Sequence, residues 1–504
     1  MRGLPISSIT NDSDFPEDHI FTRKYLNQLF TEILDKTLGE VDKNGVFKRA
    51  EINPKITGIA GDVIEQSVLG YKADTRKQHD ILVDNVPTEV KTTGFRVSGN
   101  GQEYKAKEPM SITAVSPDEI VDEVFDESHF WDKLAHMLLV YYHYKSEKTV
   151  KAIEYKNFPI KGYEFHEFSD EEKAALEADW TIVRDFIKKI QEEYADDPES
   201  QYPRISHDLR PQLMLIDTAP KWPNRPRFRL KRSFVDQIIK SYFGRKSEEK
   251  SNITAISELD RICNELTDAY AGKNIKELMA IFGIEDTNVD KAVVERIMVR
   301  MFKSERKKIS DIPMFVKAGI HAKTLVTTHK GGRTEDMKLC NADFDELCDP
   351  DFKFEDSSLH DYFSQSQILC ILFHEKDEKA VYEENIFDGF KRVFFSEEYI
   401  DTEVRRTWEE AHDLIISGRF KKTLEYNKDG SPKLNPNGTQ RSHTNFPKSR
   451  THSIFMRGTG GDSADTPLEI NGYPLYRFQF WIKGLEIVQM VKSSSNTSIL
   501  DYSQ

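Results

Sequence analysis

HDILVDNVPTEVK, residues His79–Lys91, holds a short apolar run, an Asp-Asn pair and a Thr-Glu-Val-Lys run. Asp80-Ile-Leu-Val reads as one strand, Asp84-Asn85 as the start of a turn, and Thr88–Lys91 as the opening of a returning strand. Asp and Asn tolerate turn backbone, while Val and Ile suit a pleated surface. Side chains alternate along a strand, so Glu89 and Lys91 share one face and Val90 takes the other. Asp80 pairs across the hairpin near them. Two carboxylates and an ammonium then converge, and Glu65, on a helical stretch upstream, is within reach of the same place.

Outward from the hairpin, the order of elements predicts a mixed α/β fold, a mixed sheet flanked by helices. After the Glu65 helix and the hairpin come a second strand pair around Phe95–Ala114, a helix over Phe130–His136, a strand over Met137–Tyr144, and a long helix through Trp180–Glu193.

With 504 residues the chain is too long for one typical domain. Its hydrophobic fraction of 38%, with 11% aromatic, is enough for real cores. No apolar run approaches the ~20 residues of a membrane span, and MRGLPISSITNDSDF has no basic-plus-apolar signal. Cys263, Cys340, Cys348 and Cys370 form no CxxC, which predicts buried, reduced thiols rather than zinc. A cytoplasmic protein without membrane contact is expected. The net charge of −14 argues weakly against nucleic acid, but binding depends on local patches. Two patches are visible. Arg204, Arg210, Lys221, Arg225, Arg227, Arg229, Lys231 and Arg232 lie in one stretch with interleaved aromatics. The second, GRFKKTLEYNKDGSPKLNPNGTQRSHTNFPKSR from Gly418, reads as a long basic loop.

The chain also repeats itself. DESHFWDKLAHMLLVYYHYK from Asp126 resembles EDSSLHDYFSQSQILCILFHEK from Glu355, and WTIVRDFI from Trp180 matches WEEAHDLI from Trp408. GDVIEQSVLG from Gly61 pairs more loosely with KAVVERIMVR from Lys291, aligning Glu65 with Glu295. All fall at an interval of about 230 residues, the mark of a duplicated unit. Two domains of one fold follow, residues 1–245 and 255–504, joined by a polar linker at 246–254. Trp180 and Trp408, shared by both copies, are expected in the cores.

The copies differ where chemistry would sit. Opposite the hairpin the second copy has SDIPMFVKAGIHAK, Ser310–Lys323. Asp311 and Lys323 persist, His321 stands where Glu89 stood, and Ser364 takes the place of Lys133. An imidazole cannot replace a carboxylate toward a hard cation, so the second copy reads as catalytically inert. Phosphodiester hydrolysis suits the first set: carboxylates hold Mg²⁺, the ion activates water and neutralises the leaving oxygen, and a lysine positions the water or offsets charge.

At these residues the sequence resembles a known family. TGIAGDVIEQSVLG from Thr57, PTEVKTTGF, WDKLAHMLLVYY, and HDLRPQ with LKRSF are similar to segments of MutH, the mismatch-repair nicking endonuclease, across most of residues 50–240. Two tandem copies, one without the catalytic set, resemble the GATC-cutting type II restriction endonucleases of the Sau-three-A-one type. The resemblance implies two restriction-endonuclease-like (MutH-like) domains with a PD-(D/E)XK core. It implies Glu65, Asp80 and Glu89 as Mg²⁺ ligands, with the Val90 carbonyl as a backbone ligand. It makes Asp80, Glu89, Lys91 and Lys133 the catalytic set, and places Arg210, Lys231 and Arg232 toward DNA. It further implies double-stranded DNA as substrate, a DNA-binding, regulatory second domain, and a cognate DNA methyltransferase. With one active set per chain, a monomer in solution that pairs transiently on DNA is expected.

The sequence departs from the family in places. His79, a strand-start residue on this reading, precedes Asp80 where the family has Pro. The Asp80–Glu89 spacing is long, implying a longer hairpin turn, and leaves Asp84 as a rival. Thr57 stands where the family has Lys. GTGGDS from Gly458 reads as a flexible loop that could approach DNA, not a phosphate loop. Two alternatives remain: a partner-recruited nickase, and a DNA-binding regulator without catalysis.

Overall fold

The computed structural model describes residues 16–493, except 55, 72–78, 99–102, 147–149, 220–224, 245–252, 333 and 460–463. Most of the expected linker, together with Lys221, Trp222 and much of GTGGDS, lies outside the described residues. The chain forms two compact units. One is Met1–Ser206 with Leu215–Glu248, the other His207–Met214 with Glu249–Gln504. The short segment His207–Met214 therefore packs with the second unit, although it lies inside the first in sequence.

The quoted stretch is a tight hairpin. Ile81–Val83 pairs antiparallel with the start of Val86–Ser98, in the register Ile81↔Thr88, Leu82↔Pro87 and Val83↔Val86. Asp84 and Asn85 both take positive φ, 47° and 69°, as a two-residue turn matched to strand twist requires. The long Asp80–Glu89 spacing is thus spent on three paired rungs, not on the longer turn expected from the sequence. Asp84 is used up in the turn: it is exposed, and its Oδ2 accepts from Arg23 N–H at 3.2 Å, at the start of the Arg23–Ile33 helix.

The hairpin lies inside a mixed sheet, in the order Ile20–Phe21, Ile81–Val83, Val86–Ser98, Met137–His143, Ile160–His166. Val86–Ser98 runs parallel to Met137–His143, which is antiparallel to Ile160–His166. Val90, Leu138, Val140 and Tyr142 form one apolar face, covered by Leu26, Phe30 and Ile33 and by Ile59, Val63 and Ile64. The expected strand pair around Phe95–Ala114 is divided. Glu103–Ala106 pairs with Val86–Ser98, but Met110–Ala114 leaves for a separate sheet with Arg227–Leu230 and Ile216–Ala219.

The second unit repeats this plan. Ile320–Thr327 is parallel to Gln367–His374, which is antiparallel to Ile386–Val393. Met337–Asn341, Phe478–Ile482 and Ile454–Gly458 form the companion sheet. Each unit then closes on a helix, Arg232–Tyr242 or Gly484–Ser493. The agreement extends to single atoms. Buried Ser128 and Ser357 each donate to a phenylalanine carbonyl three residues back at 2.7 Å, and each accepts the N–H three residues on at 3.1 Å. Trp180 meets Phe125 at 5.8 Å and Trp408 meets Phe354 at 6.1 Å, both tryptophans buried.

One part of the plan is missing. The segment matched to the hairpin folds as the short helix Pro313–Ala318 after a turn at Ile309–Asp311, and Gly319 at φ +66° leads into Ile320–Thr327. Pro313 sits at the first helical position, where its missing N–H costs nothing. Asp311, expected to persist as the counterpart of Asp80, is exposed in this turn and bonds Ser310. Among the described residues no helix is long and apolar enough to cross a membrane. Among the described residues no cysteine forms a disulfide; Cys263 and Cys370 are buried, but Cys348 is exposed, contrary to the expectation of buried thiols throughout.

Candidate active site

Glu89 is the centre of a buried charge cluster. It follows His136 in the parallel ladder, donating its N–H to that carbonyl at 3.0 Å. Its carboxylate, 4% exposed, accepts from Lys91 Nζ at 2.5 Å on Oε1 and from Lys133 Nζ at 2.7 Å on Oε2. Lys91 stands two residues along the strand, on the same face. Lys133, 7% exposed, comes from the His129–Ala135 helix that leads into Met137–His143. Burial opposes the charge on Glu89, but the two ammonium groups outweigh it and hold the carboxyl below its ordinary value. Lys91 is likewise opposed by burial and held above its ordinary value by Glu89 and Asp80.

Asp80 joins from the strand before the turn. Its Oδ2 accepts from Val90 N–H at 2.8 Å, and its own carbonyl accepts from the buried His19 Nδ1–H at 2.6 Å. Burial and the neighbouring Glu89 raise its pKa, against Lys91 and the Val90 bond. The Val90 side chain points into the core, so only its backbone faces the cluster. His79 Nε2 donates to the Asp132 carbonyl at 2.7 Å, tying the hairpin start to the helix that carries Lys133.

Glu65 arrives from the other side. The helix Ile59–Val63 widens into a π-helical turn over Ile64–Leu69, a feature frequent at functional sites. A carbon built on Gly61 would lie 3.9 Å from Glu65 Oε1 and 4.0 Å from Thr92 Oγ1. Burial, then the charges of Asp80 and Asp62, push Glu65 up to about 8. The Thr92 hydroxyl is buried there without a hydrogen-bond partner among the described residues. Sequence reasoning missed Thr92, although its place in the TEVKTT alternation was open to it.

The donor set suits a hard divalent cation: carboxylate oxygens only, crowded enough to resist ionisation together. As placed, no three His, Cys, Asp or Glu side chains among the described residues close on one point. The two lysines hold the Glu89 oxygens instead, so a cation at Glu89 would displace ammonium contacts.

In the second unit His321 takes the strand position of Glu89, and its ring stacks on Tyr362 at 5.4 Å. The shared serine caps show that Tyr362, not Ser364, is the counterpart of Lys133. Lys323 persists without its carboxylates; burial and nearby Lys338 lower its pKa. Glu295 is half-buried on the helix Lys291–Met301.

The residues expected to face DNA are scattered. Arg210 belongs to the second unit and pairs with Glu397 there. Lys231 is buried ahead of the Arg232–Tyr242 helix, and Arg232 Nε donates to the Ala106 carbonyl at 2.8 Å. Others of the first basic stretch are engaged as well: Arg229 forks onto Asp217 at 2.7 and 2.9 Å, and Arg225 holds the Val115 carbonyl at 3.2 Å. Arg227 is exposed.

The family described as DNA mismatch repair enzyme MutH matches residues 69–179. That span contains Asp80, Glu89, Lys91 and Lys133 and stops short of Glu65. The chain is also similar to a type II restriction enzyme, Sau3AI of Staphylococcus aureus, at 23% identity over 482 residues, 89% of this chain and 92% of that protein. The chain is thus similar to MutH over part of its first unit and to Sau3AI over most of its length. The match to the restriction enzyme runs through both units, and the two similarities together support a nuclease.

Proposed function

We propose that this MutH/Sau3AI-like chain is a Mg²⁺-dependent type II endonuclease that hydrolyses phosphodiester bonds of duplex DNA at a short specific site. The observation that carries the reading is the Glu89 cluster, assembled in the first unit and replaced by a His321–Tyr362 stack in the second. The similarity to GATC-cutting endonucleases puts GATC first among candidate sites. Cytoplasmic action beside a methyltransferase that protects the host's own sites belongs to the same reading.

Glu65, Asp80 and Glu89 would hold the cation, with the Val90 carbonyl as a backbone ligand. A bound Mg²⁺ supplies charge neutralisation at the scissile phosphate and a more acidic water. Lys91, on the Glu89 face, orients the attacking water and offsets charge on the phosphate. Lys133 fixes the Glu89 carboxylate, and Asp80 is fixed in turn by Val90 N–H. The second unit, having lost the set, serves in DNA binding and regulation. One set per chain means that a double-strand cut takes two chains or two successive nicks, and we infer transient pairing on DNA.

The test is digestion of unmethylated plasmid with sequencing of the fragment ends. Cutting at one short site in Mg²⁺, none in EDTA, and none by Glu89→Ala is expected. Equal cutting by Glu89→Ala would remove the assignment, and no cutting by wild type would favour a regulator. The MutH match supports a second reading, a nickase: nicked circles that persist at excess enzyme would establish it, and linear product would exclude it.

A further inference from the structure

The second basic stretch is not an irregular loop. Lys422–Leu424 pairs with Ser442–Thr444, and between them two turns are built to one pattern. Asn427-Lys-Asp-Gly-Ser431 and Asn435-Pro-Asn-Gly-Thr439 each close with an N–H···O bond of 2.8 Å from first residue to last. Each places its glycine at φ +81°. Each is braced by an amide-to-hydroxyl bond, 3.0 Å in the first and 3.1 Å in the second. Backbone bonds Glu425→Arg441, Lys433→Glu425 and Arg441→Lys433 tie the turns together. Its shape is therefore set before any partner arrives.

What this element presents is charge and two apolar groups. Residues 418–450 carry eight lysines and arginines against two carboxylates, in a chain of net charge −14. Lys433 and Arg441 share Glu425, and Arg419 pairs with Asp413. The exposed side chains of Lys421, Lys428, Lys448 and Arg450 have no carboxylate partner among the described residues. Tyr426 and Leu434 sit at the same place in the two turns, each just before its asparagine, and each is 58% exposed. Cations without carboxylate partners beside two exposed apolar side chains, on an element ordered by its own backbone bonds, suit a polyanion with stacked bases.

We propose that this two-turn element is an arm of the second unit that contacts duplex DNA. Lys421, Lys428, Lys448 and Arg450 meet backbone phosphates, and Tyr426 and Leu434 pack against base edges or sugars. The proposal rests on the duplex-DNA reading above and adds where the second unit holds the duplex.

Binding of a labelled duplex to the full chain, in EDTA and over a salt series, tests it without cleavage. Changing the four cations to Gln is expected to weaken binding at least tenfold at low salt. The slope of log affinity against log salt should fall by roughly 3–4, at about 0.9 for each phosphate no longer neutralised. Tyr426→Ser with Leu434→Ser should weaken binding and leave the slope unchanged. Lys428→Glu alone, at an exposed turn, keeps the test valid if the fourfold variant is misfolded by circular dichroism. Unchanged affinity and slope in the folded variants would overturn the proposal; an arm made for an acidic protein gives that result. A wild-type chain that binds with the expected slope change in the variants but never cuts DNA would sink the nuclease reading and leave the arm standing.

Discussion

Lys133 and Tyr362 occupy one position on one duplicated helix and meet opposite partners. Lys133 donates to Glu89 at 2.7 Å, while the Tyr362 ring stacks on His321 at 5.4 Å. A buried ion pair stands in one unit and an aromatic pair in the other, with the capped helix and the parallel strand pair kept in both although the Asp80 hairpin is not. Buried ion pairs are often replaced by well-packed groups at little cost in stability, so retention of the charges in the first unit is better explained by chemistry than by folding.

Side chains alone should not revive the second unit. Restoring them with His321→Glu and Tyr362→Lys does not restore the strand that carries Asp80, because its counterpart is the helix Pro313–Ala318. In a Glu89→Ala background the double change should give no cutting of plasmid DNA. Any metal-dependent nicking would show that the missing strand is dispensable.

Lys133→Met keeps the aliphatic stem and deletes one of the two bonds on Glu89. Cleavage should slow by about 10²–10⁴-fold, the range for loss of a positioned acid–base or charge partner, with DNA affinity in EDTA little changed. Single-turnover rates alongside anisotropy would separate the two. Wild-type rates would remove Lys133 from the machinery.

His79→Phe cuts the link to the Asp132 carbonyl while retaining the ring volume. The Lys133 helix should then shift relative to the hairpin, and cleavage should fall by about ten- to a hundredfold, since misplacement of about 1 Å is enough. The circular dichroism spectrum should stay native. A rate equal to wild type would make His79 a strand-start residue and nothing more.

Stability should depend on pH through Asp236. Burial pushes it up to about 6, against its bond from Ala106 N–H. A carboxyl raised in the folded state contributes stability that is fully present below its unfolded value near 4 and is lost as pH rises through about 6. Wild type should therefore lose roughly 1–3 kcal/mol between pH 4 and 7 relative to Asp236→Asn. Thermal melts of both proteins across that range would check it; parallel curves would mean that Asp236 does not titrate as stated.

Much of the site was legible because strand periodicity is strict. The alternation in TEVK puts Glu89 and Lys91 together, and DN between apolar runs gives the turn. The duplicated segments were readable for the same reason, since Ser128 and Ser357, or Trp180 and Trp408, answer to the same local geometry. Helical registers were less secure: Ser364 is two residues from the counterpart that the serine caps give, because an amphipathic segment aligned on the strand that follows it can slide relative to the cap at its start. Asp311 was misread although Pro313 announced a helix start. The arginines of the first basic stretch could not be assigned from sequence, since Arg225 and Arg232 are taken by carbonyls more than a hundred residues back and Arg229 by Asp217 on the neighbouring strand.

The two-residue turn at Asp84–Asn85 acts as a ruler. Surface loops usually absorb an extra residue without harm, but here the count of rungs fixes which backbone N–H Asp80 can reach. One inserted residue would leave both strands in their sheet and slide Asp80 off Val90, so that a well-folded protein would be born mute.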